Sequence, residues 1–126
     1  MASFKRFEDI QAWQKARQVT RRVYEITGEG NFSKDYGLRD QIRRASVSIM
    51  ANIAEGLGRR SDKDFANFLN MAHGSAAEVQ SHLYIALDLN YIGQASFTEL
   101  YNLLDEVSRM TLALGKHLHI SNRDSL

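Results

Sequence analysis

Two groups of side chains in this sequence have the types and spacing to do chemistry. The first is small and polar. In the stretch Arg43 to Gly58 (RRASVSIMANIAEGLG), Ser48, Asn52 and Glu55 recur at intervals of four and three, and downstream His73, Ser75 and Glu78 offer an imidazole, a hydroxyl and a second carboxylate. Gathered across two helices, such a set could work as a general acid/base pair or hold a metal ion. The second group is basic: Arg17, Arg21 and Arg22, then Arg39, Arg43 and Arg44, then Arg59, Arg60 and Lys63. A guanidinium grips two phosphate oxygens together, so arginines repeated on a helix face suit nucleic acid.

Spacing argues against catalysis by the polar group. A di-metal site in a helix bundle needs two Glu-x-x-His motifs and two further carboxylates. The nearest approach here is Glu78 and His82, four apart and without a second copy. Nucleophilic catalysis needs a base and a third group that orients it, and the spacing supports none. The chain has no cysteine, which removes disulfides, thiolate metal sites and cysteine nucleophiles. Ser48, Asn52, Glu55, His73, Ser75 and Glu78 therefore read as a structural network that pairs across helices and fixes their register. No enzyme activity, metal, cofactor or small-molecule substrate is expected. His117 and His119, in KHLHIS, are placed in a last helical turn, where cations complement the dipole.

Four amphipathic segments must position these groups. The first runs from about Glu8 to Thr27 on Ala12, Ala16, Val19, Val23 and Ile26, with Gly28 to Asn31 closing it through a left-handed glycine. The second covers roughly Asp35 to Leu57 on Leu38, Ile42, Ala45, Ile49, Asn52 and Gly56, the 4-3-4-3-4 seam of a left-handed bundle, with Gly56 and Gly58 as its end. Asp40 lies four residues before Arg44, an intrahelical pair. The third begins at the N-cap Ser61 and runs to about Asn90 on Phe65, Phe68, Leu69, Ala72, Ala76, Val79, Leu83 and Ala86. The fourth starts at Ser96, with Glu99 completing a capping box, and continues to Leu118. Short connections between long helices predict an all-α, antiparallel up-down-up-down four-helix bundle.

At 126 residues the chain suits one domain, residues 5–120, with a polar tail, 121–126, expected to fray. The absence of proline leaves the helices unbroken. No apolar run reaches membrane-spanning length. Without a leader-like start or cysteines, the expected compartment is the cytoplasm. Trp13, Tyr24, Tyr84, Leu87, Tyr91, Leu103 and Met110 lie at the margins of the seams. Large apolar side chains so placed mark a candidate subunit interface. Residues 1–63 hold 13 Lys and Arg against 8 Asp and Glu (+5), and residues 64–126 hold 3 against 7 (−4). The basic half can meet a polyanion, or the two halves can neutralise each other within or between subunits.

The segment YGLRDQIRRASVSIMANIAEG, followed by a Phe-rich third helix and HGSAAEV, resembles the bacterial four-helix-bundle family of 23S ribosomal-RNA intervening-sequence proteins. That family also takes in the accessory variability determinant of diversity-generating retroelements. The QIRRA, SI-x-ANIAEG and GSxxE elements stand in the family's order, and the likeness spans about Phe7 to Leu118. The resemblance implies a cytoplasmic homopentameric ring, and in the retroelement branch binding to a reverse transcriptase and nucleic acid through a basic surface. It implies Arg43 and Arg44 as the paired basic site, and Asn52, Glu55, Gly74, Ser75 and Glu78 as a small-polar signature. The family's usual proline before the second helix is absent, with Asn31 and Phe32 near that point. The expected function is RNA or DNA binding by a ring-forming bundle, alongside a protein partner. The alternative is a homo-oligomeric protein-interaction scaffold that binds no nucleic acid.

Overall fold

The computed structural model describes residues 4–124, with the side chains of 4–118. Its helices are α1 (Gln11–Thr27), α2 (Tyr36–Leu57), α3 (Asp62–Asp88) and α4 (Gln94–Asp124), and no strand occurs among the described residues. Cross-helix contacts fix the topology. Thr20 meets the Ser46 carbonyl and Arg43 meets Thr27; Ser48 meets Ser75; Tyr84 meets Phe97; Lys15 and Arg22 meet Glu106 and Glu99. Gly56 also abuts Phe65 and Phe68, and Gln80 meets Asp105, so in each helix pair the numbers on one partner fall as those on the other rise, every neighbour is antiparallel and α4 closes the ring on α1. This is the up-down-up-down bundle expected from the short connections.

The apolar stripes form the core. Ala12, Ala16, Val19, Val23 and Ile26 of α1 face Leu38, Ile42, Ala45, Ile49 and Ile53 of α2, with Leu69, Ala76, Val79, Leu83, Leu100, Leu104 and Val107 closing from α3 and α4. Ile53 and Ser46 join the α2 seam, while Asn52, expected to face inward, is half-buried on the flank toward α3.

Helix ends depart from the sequence reading, each for a local reason. Residues Phe7–Asp9 form a 3-10 turn, so α1 starts at Gln11; the turn packs Phe7 edge-on against Trp13, with ring centroids 5.0 Å apart. Gly28 stays right-handed (φ −90), and Gly30 takes the left-handed conformation (φ +52). Gly56 lies inside α2 and does not end it. A Cβ there would come within 2.8 Å of the Phe68 Cβ and 2.9 Å of the Phe65 ring. The glycine lets α3 approach. Helix α3 ends at Asp88 with Asn90 left-handed (φ 59), and the Tyr91 and Asn90 amides donate to the Ala86 and Leu87 carbonyls (2.8 and 3.0 Å). Helix α4 already starts at Gln94, its first bond running from the Phe97 amide to the Gly93 carbonyl (3.1 Å). Ser96 and Glu99 are thus within the helix, and both bind Arg22 instead of forming a capping box. At its far end α4 meets no glycine or proline after Gly115 and runs on to Asp124. His117 is therefore not in the last turn; the side chain of His119 and those of the tail 121–126 lie outside the described residues. The expected cap at Ser61 holds, its hydroxyl accepting from the Asp64 amide (3.1 Å), and Asp35 caps α2 by accepting from the Leu38 amide (3.2 Å).

The connection between α1 and α2 is a second 3-10 turn, Gly30–Lys34, that drives Phe32 fully into the interior. Its ring stacks on Tyr91 (centroids 5.2 Å apart), whose hydroxyl donates to the free oxygen of the Asp35 cap at 2.9 Å. The hydrogen bond to a carboxylate holds the Tyr91 phenol above its ordinary pKa. Because the folded value is raised, this contact's contribution is complete below pH about 10 and is lost as pH climbs through the raised value.

Two outcomes follow from this packing. Gly56→Ala would gain up to ~1 kcal/mol of helix propensity but lose ~1–3 kcal/mol to overpacking. Urea unfolding should therefore show net destabilisation, and an unchanged or raised midpoint would contradict the close approach. Phe32→Ala should cost ~3–5 kcal/mol, whereas a mere loop phenylalanine would lose almost nothing.

Candidate nucleic-acid interface

The nine basic candidates divide by what they touch. Four are held within the fold. Arg43 donates from Nε to the hydroxyl of buried Thr27 (2.8 Å) and lies over the Tyr24 ring, 4.6 Å from its centroid. Arg22 binds Glu99 (2.8 Å) and the Ser96 hydroxyl (3.1 Å), tying α1 to α4. Arg39 donates to the Ser33 carbonyl (3.1 Å) and to Asp40 (3.0 Å), so Asp40 pairs with its neighbour and not with Arg44 as expected. Arg59 pairs with Glu55 (2.7 Å) and covers the Phe68 ring. The other five, Arg17, Arg21, Arg44, Arg60 and Lys63, are exposed, and none pairs with a carboxylate among the described residues.

The adjacent pair Arg43 and Arg44 is therefore split. Successive helical residues point about 100° apart, so Arg43 falls on the flank packed against α1 while Arg44 faces solvent. Thr27, the partner that decides Arg43's role, escaped the sequence reading because nothing local links residues sixteen apart across a turn.

The polar network is smaller than its six candidates. Ser48 and Ser75 share a hydrogen bond (3.0 Å), and the Asn52 amide donates to the Ser48 carbonyl (2.9 Å) and hydroxyl (3.0 Å). These three tie α2 to α3. Glu55 is turned away to Arg59, its i+4 neighbour, a pairing its spacing could have revealed. Glu78 is exposed and meets only His82 (3.3 Å), whose Nδ1 is buried without a partner. His73 is half-buried and joins no side chain of the group. Among the described residues, no cluster of three or more His, Asp or Glu could hold a metal ion.

The candidate interface residues also separate. Trp13, Leu87, Tyr91, Leu103 and Met110 are partly buried against their own core, and Met110 lines an apolar groove with Phe4, Ile10 and Leu114. Tyr24 and Tyr84 are about half exposed (45% and 50%). Tyr84 packs on Phe97 and Tyr101. The sequence reading missed Val47, Met71 and Ile85, which stand exposed at 43%, 53% and 44%. No helix is long and apolar enough to cross a membrane among the described residues.

The divided roles of the paired arginines are measurable. Arg43→Ala removes the donor to the buried Thr27 hydroxyl oxygen and uncovers Tyr24, and should cost ~1–2 kcal/mol in thermal or urea unfolding. Arg44→Ala should stay within ~0.5 kcal/mol of the parent. Equal effects would show that the pair is not split.

The profile of the 23S rRNA-intervening sequence proteins matches residues 8–113. A crystal structure of a protein of unknown function from the S23 ribosomal protein family of Bacteroides thetaiotaomicron is 27% identical. The two share a TM-score of 0.76 over 83% of this chain and 98% of that one. No curated protein matches the chain. With the match covering all of α1, α2 and α3 and most of α4, the chain belongs to the 23S rRNA-intervening sequence protein family.

Proposed function

We propose that the protein is a non-enzymatic, ring-forming bundle of the cytoplasm that binds RNA or DNA through exposed arginines of α1, α2 and the turn into α3. The observation that carries this reading is the set of unpaired cations: Arg17, Arg21, Arg44, Arg60 and Lys63 all fall in the basic half of the chain and meet no carboxylate among the described residues. An internally neutralised arginine adds little to a phosphate contact, whereas a free one releases counterions when it binds. A symmetric assembly would repeat the set around its axis and multiply those contacts.

Self-association is supported by a different face. Met71, Gly74 and Ile85 share the outer side of α3, and a Cβ at Gly74 would meet nothing within 4 Å. A glycine inside a helix costs ~1 kcal/mol against alanine, and no contact inside the subunit requires this one. Together with Val47 on α2, this exposed apolar surface also favours a second reading, a homo-oligomeric protein-interaction scaffold that binds no nucleic acid.

Filter binding to structured RNA over a salt series tests the first reading. If six or more phosphates are neutralised, affinity should fall on the order of 10³-fold between about 50 and 200 mM salt. Replacing Arg17, Arg21, Arg44 and Arg60 by Gln should flatten the slope. Absent or salt-independent binding would reject nucleic-acid binding. The scaffold reading is tested by Gly74→Trp, which should lower the assembly's mass in light scattering while circular dichroism stays helical; a parent protein that is monomeric throughout would reject it.

A further inference from the structure

The outer edge of α1 alternates rings and cations. Trp13, Arg17, Arg21 and Tyr24 succeed one another at intervals of four, four and three, which keeps them on one side of the helix. Phe7 extends the row at one end, edge-on to Trp13, and Arg43 of α2 extends it at the other, over Tyr24. Phe7 and Tyr24 are 38% and 45% exposed. Trp13 opens into a surface groove of about 340 Å³ lined by Gln14, Arg17, Gln18 and Arg21. That volume is at the small end of the ~300–1,000 Å³ usual for ligand sites. The groove's walls are two amides, two guanidiniums and an indole, without a carboxylate.

This combination has a specific chemistry. An indole face stacks a planar base, the Gln18 carboxamide can meet a base edge while the Gln14 amide is held on the Glu8 carbonyl (2.7 Å), and Arg17 and Arg21 supply charge for the connecting phosphates. The Arg17 guanidinium is 5.9 Å from the Trp13 ring centroid, at the ~6 Å limit of a cation–π contact, so it can move to a phosphate at small loss. Trp13 and Tyr24 are eleven residues apart, about 16 Å along the helix, leaving both arginines between two stacking platforms. Duplex bases are stacked on each other and cannot use these rings; an unpaired strand can.

We propose that this edge of α1 is a binding track for single-stranded nucleic acid, with Trp13 and Tyr24 stacking unpaired bases and Arg17 and Arg21 holding the backbone between them. The inference rests on the nucleic-acid reading above and narrows it to a strand state and a site. It gives Trp13 and Tyr24 a ligand role in place of the subunit contact that their apolar size suggested.

Trp13 is the chain's single tryptophan, so its emission reports this groove alone. The intact protein is titrated with a short oligo(U), with total binding followed by the anisotropy of a dye on the oligonucleotide. Tryptophan quenching should saturate at the same concentration as the anisotropy. Tyr24→Leu should weaken affinity about ten- to hundredfold, within the range for one stacked base. Arg17→Gln with Arg21→Gln should lower the salt slope by about two phosphates' worth. Circular dichroism checks that each variant remains folded. Anisotropy that rises while Trp13 emission stays constant would overturn the track but leave nucleic-acid binding in place, as would a hairpin duplex that binds as tightly as oligo(U). Emission that changes on simple dilution of the free protein would place Trp13 in a subunit contact and overturn it too. No anisotropy change with oligo(U) or duplex would reject the nucleic-acid reading itself.

Discussion

The apolar stripe of α1 is narrow and built of small side chains, Ala12, Ala16, Val19, Val23 and Ile26, all buried. A rotation by one residue position, about 100°, would turn that stripe to water. Polar ties on both flanks oppose the same rotation. Thr20 reaches the Ser46 carbonyl and Thr27 receives Arg43 on the α2 side; Lys15 and Arg22 reach Glu106 and Glu99 on the α4 side. Exposed ion pairs contribute little energy each, but here they are placed where they select one angular setting of the helix. With that setting fixed, the residues opposite the stripe, Arg17 and Arg21 among them, have no choice but to face solvent.

The same constraint explains how charge is distributed. Arginines on the flanks of α1 and α2 find acids, hydroxyls, carbonyls or rings on adjacent elements, and are consumed in holding the bundle. Arginines on the outer faces find none. The split between Arg43 and Arg44 shows how sharply this works, since one peptide unit separates an internal strut from a free cation. Family membership supports the bundle, while the proposal for nucleic acid stands on the residues that the fold leaves unpaired.

Much of the fold was legible because burial alone generates helical periodicity. The stripes of α1, α2 and α3 and the cap at Ser61 read directly from spacing. What did not read was decided by contacts distant in sequence. Phe32, in a segment without periodicity, is buried where Tyr91, just past the end of α3, stacks on it and is itself held by the Asp35 cap of α2. Ser96 and Glu99 match a capping box, yet Arg22 of α1 takes both. Gly56 looked like a helix end because glycine usually is one near a terminus, whereas the side chains of Phe65 and Phe68 set its role. In the candidate site, Ser48, Asn52 and Ser75 meet, while Glu55 pairs with Arg59 one turn along its own helix.

The outward face of α1, held in register by its small apolar stripe, is the proposed surface for nucleic acid. Ultraviolet cross-linking of the intact protein to a bound RNA, followed by mass spectrometry of the digested peptides, tests this most directly. Nucleotide adducts should concentrate on peptides from Gln11–Thr27. Adducts confined to α3 or α4 peptides, with α1 unmodified, would contradict it.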